Sequence, residues 1–157
     1  MLVSAAGSRL LVALGVCLAL PPFWRTVGFA QDRLASVKRL DCTFTMYATG
    51  TWNKGDVDAK VLPAKLSIGF ESINTDEGSA QVRGEFGRSD IVVRLTQGTL
   101  HFVQMFSAGP LYVTTVFPKE TKNGKLQAVH TRHEYTEVSL PGFTSRPEQY
   151  YGECEAH

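Results

Sequence analysis

The chain has 157 residues, 16 basic and 15 acidic, for a formal net charge of +1, with 43% hydrophobic residues. A near-neutral balance with no basic run argues against nucleic acid as a partner, because that binding rests on neutralising phosphates, and it argues equally against a charge-driven role at membranes. Three cysteines with no C-x-x-C spacing give no metal motif, and no cofactor motif is legible.

The first thirty residues differ from all that follow. Arg9 precedes an apolar run from Leu10 to Leu20, then Pro21-Pro22 and a small-x-small exit, Gly28-Phe29-Ala30. A positive amino end, a short apolar centre and a small-residue exit form the pattern of a secretory signal peptide; the run is shorter than the roughly 20 residues a bilayer span needs. The expectation is therefore a signal at 1–30, cleavage after Ala30, and a secreted or periplasmic product with no transmembrane segment. Retention as a membrane anchor and lipid attachment at Cys17 are the competing readings. Loss of 1–30 removes Arg9, Arg25 and Cys17 and leaves 127 residues, enough for one domain. Cys42 and Cys154 then remain, one near each end of that domain, and the oxidising route predicts that they pair.

Gln31 to Arg39 reads as a lead-in with one helical turn around Leu34, Val37 and Leu40. The first strand follows, with Leu40, Cys42, Phe44, Met46, Ala48, Gly50 and Trp52 on one face and a Thr-rich series on the other. One apolar and one wet face is the pattern of an antiparallel sheet covering a core on a single side. Asn53 to Asp58 is a polar turn, and Ala59 to Pro63 reads as a short edge segment because Pro cannot donate to a ladder. Leu66, Ile68 and Phe70 mark the next strand, ended by Asn74-Thr75-Asp76-Glu77-Gly78.

From Ser79 to Phe117 four alternating runs succeed one another with only Gly-bearing turns between them. Ala80, Val82, Gly84 and Phe86 share a face; after Gly87-Arg88-Ser89-Asp90 come Ile91, Val93 and Leu95; after Gln97-Gly98, a tight-hairpin pair, come Leu100, Phe102 and Phe106. Ala108-Gly109-Pro110 leads to a Val-, Thr-, Tyr- and Phe-rich run from Leu111 to Phe117. Asn123-Gly124 is another hairpin signal, followed by a seventh strand from Lys125 to about Val138, a Pro-bearing loop, and a last strand from Gln149 to Glu153 that carries Cys154 at its end.

The predicted fold is thus all-β, an antiparallel up-and-down meander of about eight strands. Such a meander removes its exposed edges by closing into a calycin-like barrel, and a Cys42–Cys154 bridge would tie first strand to last. A two-sheet β-sandwich is the alternative. Gly50-Thr51-Trp52 is similar to the Gly-x-Trp pattern near the first strand of lipocalins; the resemblance spans three residues and closes a strand here rather than opening one, and it carries over no functional residue.

Small closed barrels often hold one small ligand, so the polar residues that could meet it are the candidate site. The most concentrated set is Val129-His130-Thr131-Arg132-His133-Glu134-Tyr135, where His130, Arg132 and Glu134 alternate with the rest. Facing inward they would bind a polar or anionic head group; facing water they would be a solvated ladder. Val129 and Tyr135 look more like core residues than their neighbours do, so the sequence favours the solvated reading. His101 is read first as a structural strand histidine. Arg146 and Tyr151 belong to an aromatic-rich stretch that reads equally as a recognition loop and as the last strand with Tyr150 and Tyr151 on opposite faces.

Three functions follow as expectations. The first is non-catalytic binding of a small apolar or amphipathic ligand by a monomeric or weakly associating protein. The second is a protein-interaction or inhibitor module of the cell envelope using Arg146 to Tyr151. The third is an enzyme using His101, His130 and Arg132, which requires all three to reach one cavity.

Overall fold

A computed structural model describes residues 33–84, 87–134 and 146–157. The expected signal peptide, Phe86, Tyr135 to Val138 and the Phe143–Ser145 part of the late loop lie outside the described residues. Eight strands follow one another: β1 (Leu40–Asn53), β2 (Asp56–Asn74), β3 (Ser79–Gly84), β4 (Gly87–Thr96), β5 (Thr99–Met105), β6 (Leu111–Glu120), β7 (Leu126–His133) and β8 (Glu148–Ala156). Each pairs antiparallel with its neighbour in sequence, and β8 pairs with β1, so the sheet closes in a ring. The barrel expectation holds and the sandwich does not.

Closure is covalent as well as hydrogen-bonded. Cys42 and Cys154 are register partners on β1 and β8 and form the disulfide. At one end of the barrel, the helical turn at 33–35 brings Leu34, followed by Val37, beneath the sheet, where both are buried against the core with Leu40, Ile73, Val93, Leu100 and Val116. Short hairpins shut the same end: Gln97 and Gly98 both adopt positive φ, 50° and 75°, the twist-compatible pair of a two-residue hairpin. Farther along the barrel Phe70 stacks on Phe102 with centroids 4.0 Å apart, and Phe44 completes the packed middle layer.

Two expectations for the β1–β2 region change. The first is the single apolar face from Leu40 to Trp52. The ladder shifts register between Phe44 and Met46 against both β2 and β8, and an irregularity of this kind inverts which side chains point inward. Cys42 and Phe44 are buried, but beyond the shift Tyr47 and Thr49 point inward while Met46 and Trp52 are 46% and 63% exposed. Gly152 sits opposite this shift, where a Cβ would strike the backbone of Thr43 and Phe44; only glycine lets β8 pass so close. The second change is that Ala59–Pro63 is no separate edge segment but part of β2, paired with β1 as far as Asp56. The tips of β1 and β2 thereby form a hairpin that overhangs the rest of the barrel.

The meander fits its expectation more closely. Ala80, Val82, Ile91, Val93, Leu100 and Phe102 are buried as their alternation predicts. Gly87 to Asp90, read as a turn, instead belongs to β4, with Gly87 paired to Gly84.

Candidate functional site

The site occupies the end of the barrel opposite the helical turn. Paired residues on neighbouring strands share a face, and the register lines up Tyr112 with Arg132, Thr114 with His130, His130 with Tyr150, and Arg132 with Glu148. All of these side chains are buried, as is Glu134 just beyond β7. The solvated reading of the His130 face is therefore overturned: His130, Arg132 and Glu134 point into the barrel. Val129, one of the two residues behind that reading, is an outward, half-buried position of β7; the other, Tyr135, lies outside the described residues.

At the centre, the Arg132 guanidinium lies between two rings, its carbon 5.2 Å from the Tyr112 centroid and 5.1 Å from that of Tyr150. Cation–π attraction of this kind strengthens when water is excluded. Each tyrosine hydroxyl donates to a carboxylate, Tyr112 to Glu134 and Tyr150 to Glu148. Burial and these hydrogen bonds push both phenols well above their ordinary range, so they stay protonated. Arg132 Nε donates at 3.5 Å towards His130 Nε2. Because an arginine can only donate, that nitrogen must be the acceptor; His130 then carries its proton on Nδ1 and donates it to Thr114 Oγ1, 2.8 Å away. Burial, and secondly the positive charge of Arg132, pull the imidazole down to about 3. His130 is thus neutral at physiological pH, a fixed hydrogen-bonding element rather than a proton carrier.

Beside this network lies a cavity of about 230 Å3. Leu66, Ile68, Phe70, Val82, Ile91 and Phe102 give it an apolar wall, while Tyr112, Thr114, His130 and Arg132 line its polar side and Arg88, Ser89 and Gln104 stand towards β4 and β5. Glu134, Glu148 and Tyr150 are not among its lining residues. Of the network, the cavity is thus bordered by Tyr112, Thr114, His130 and Arg132 and not by the two carboxylates. No carboxylate oxygen of the described residues lies within 4.0 Å of the guanidinium. A second, more open depression of about 430 Å3 beside the overhanging hairpin is bordered by Ala48, Ala59, Val61 and Pro147 together with Thr49, Lys60, Thr131 and Glu148; it is open to solvent and does not reach the buried guanidinium.

The other predicted residues lie elsewhere. His101 pairs with Thr115 on the outer face of β5 and β6, its Nδ1 3.2 Å from the Thr115 hydroxyl. His101 and His130 thus face opposite sides of the sheet, which removes the geometry that the enzymatic expectation required. Tyr151 is an outward residue of β8 with its hydroxyl on Gln149, whereas Tyr150 points inward and stacks on Tyr47; the alternating-strand reading is the one realised. Arg146 is exposed, ahead of β8. Sequence reasoning missed Tyr112, Thr114, Tyr150 and Glu148. The available signal was the inward parity of β6 and β8, which places each of them at a register position beside His130 or Arg132.

No protein-family model, curated protein or solved structure matches the chain. Among the described residues no group of three His, Cys, Asp or Glu side chains could hold a metal ion, and no helix is long and apolar enough to cross a membrane.

Proposed function

We propose that this protein is an exported, non-catalytic carrier of a small amphipathic molecule, whose apolar body lies against Phe70 and Phe102 and whose acceptor-bearing end meets Arg132. The observation that carries the reading is a cavity with an apolar wall on one side and a polar side that includes a buried guanidinium. A buried guanidinium with no carboxylate oxygen of the described residues within 4.0 Å favours an anionic or strongly accepting group. The volume lies below the roughly 300–1,000 Å3 of drug-sized sites. At about 30 Å3 per water-sized group it suits a ligand of roughly eight non-hydrogen atoms. The disulfide is compatible with an oxidising compartment, and the amino-terminal pattern supplies the export route.

Calorimetric titration with octanoate, 1-octanol and octylamine tests the reading directly. Octanoate is expected to bind best and octylamine worst. Arg132→Gln should weaken octanoate by roughly 10- to 100-fold, the worth of a charge-assisted hydrogen bond of about 1.5–3 kcal/mol, while changing octanol little. Ile91→Trp, which fills the cavity without touching the polar network, should abolish all three. Equal affinity for the acid and the amine, or octanoate binding that survives Ile91→Trp, would overturn the assignment. Native mass spectrometry before and after denaturation, on protein from an exporting host, would give the mass of any retained molecule.

A further inference from the structure

The overhanging hairpin has its polarity reversed. Because the register shift at Phe44 to Met46 inverts β1, the outer face of the extension consists of Met46, Ala48, Gly50 and Trp52 paired with Pro63, Val61, Ala59 and Val57. Val57 and Val61 are 74% and 65% exposed. The face towards the barrel mouth instead carries Thr49, Thr51, Asp56, Asp58 and Lys60. The outer edge of β2 also lacks a partner here: β3 pairs with β2 only from Gly69 onward, and among the described residues no strand pairs with that edge between Asp56 and Leu62. An apolar face beside an unpaired edge is what sheet proteins ordinarily protect.

We infer that this edge is an interface between two copies of the protein, formed by antiparallel pairing of β2 with β2 about a two-fold axis at Ala59. The occupant follows from the sequence of the edge itself. The Lys54-Gly55 turn, with positive φ at both residues, bounds the free segment on one side. Pro63, which has no N–H to donate, bounds it on the other. Asp56 to Leu62 remains, with Ala59 at its centre, so the register that pairs the whole segment with itself places Ala59 opposite Ala59. In that register Asp58 lies opposite Lys60 of the second copy and Lys60 opposite its Asp58. On the other face Val57 lies opposite Val61, twice over. Opposite charges and β-branched pairs directly across an antiparallel ladder are both favourable, and symmetry makes each count twice. Asp58 and Lys60 already pair within the strand at 3.2 Å, so association exchanges partners rather than burying unmatched charge. The two outer faces, each with its Trp52, then join into one apolar surface.

Sedimentation of the purified, oxidised protein from about micromolar to millimolar concentration tests the register. The expected result is a monomer–dimer equilibrium that Lys60→Glu weakens at least tenfold, by setting like charges opposite each other at both symmetry-related positions. The charge swap D58K/K60E should restore it. Ala59→Cys should cross-link with itself under mild oxidation, whereas Val57→Cys, which lies off the axis, should not. None of these positions is buried, so circular dichroism should be unchanged. A strictly monomeric wild type, a dimer indifferent to Lys60→Glu, or a monomer that binds phosphatidylcholine vesicles through Trp52 would overturn the inference.

Discussion

The two ends of this barrel are built from the same strands and do different work. At the end shut by the helical turn, Leu34, Leu40, Ile73, Val93, Leu100 and Val116 are fully buried, the hairpins are short, and the disulfide ties β1 to β8. At the opposite end the inward residues are Tyr112, Thr114, His130, Arg132, Glu134 and Glu148, beside a cavity. The change happens along single strands. The inward series on β7 runs Leu126, Ala128, His130, Arg132, and on β8, read backwards, Cys154, Gly152, Tyr150, Glu148. One face of one sheet grades from core to site. Burying polar groups costs free energy unless each is hydrogen-bonded, and among the described residues no buried side-chain nitrogen or oxygen lacks a partner. The apolar end supplies stability, and the polar end is held in a network that its own pairings satisfy.

The largest expected effects fall at the closed end and should leave the site untouched. Replacing both Cys42 and Cys154 by Ser removes a link spanning 112 residues. The chain-entropy estimate for a loop of that size is about 4.7 kcal/mol, an upper guide. Chemical denaturation should show a loss of that order, whereas octanoate affinity of the still-folded fraction should stay within about twofold of the wild type. Loss of binding in step with stability would break the division between the ends. Next in size, Leu34→Ala leaves a hole under a fully buried side chain and should cost about 2–5 kcal/mol. Amide exchange should then quicken at the β2–β3 and β4–β5 hairpins ahead of the strand segments around Tyr112 and Arg132. Uniform acceleration would mean that the barrel opens as one unit rather than from its plug.

The same gradient explains what was legible in the sequence. Where inward residues are apolar and outward ones polar, alternation alone finds strand, face and order, as it does for Ala80 to Phe102 and for the Gln97-Gly98 hairpin. The Cys42–Cys154 pairing and the ring closure were each reachable and agree. Binary pattern fails at the polar end because its premise fails there. With His130, Arg132 and Glu134 inside and Val129 outside, hydrophobicity points to the wrong face of β7, and only the register with β6 and β8 reverses it. The first strand fails for a different reason. Its alternation is regular from Leu40 to Trp52, and the shift after Phe44 is set by pairing with β2 and β8 and by the close passage of Gly152. A long-range pairing leaves no local mark in β1, so the exposure of Met46 and Trp52 was invisible to a strand read by itself.

The effect of least magnitude is specific to the polar end. Folded His130 titrates near 3, while an unfolded chain would protonate it near its ordinary value of about 6.5. As the pH falls below 6.5 the unfolded state takes up a proton that the folded state refuses. This group's contribution is therefore fully present above about 6.5 and is lost progressively as the pH falls towards 3. The slope is about 1.4 kcal/mol per pH unit in that window, or about 2 kcal/mol between pH 7 and pH 5. His130→Gln keeps a hydrogen-bonding side chain beside Thr114 but cannot titrate, so its stability should fall less over the same interval by roughly that amount. If the wild type and His130→Gln lose stability equally, the acid sensitivity belongs to other groups and the buried, neutral imidazole is not its source. Octanoate affinity gives the complementary reading. His130 stays neutral, so affinity should be flat between pH 6 and pH 8, where a site that relied on a protonated histidine would weaken steadily.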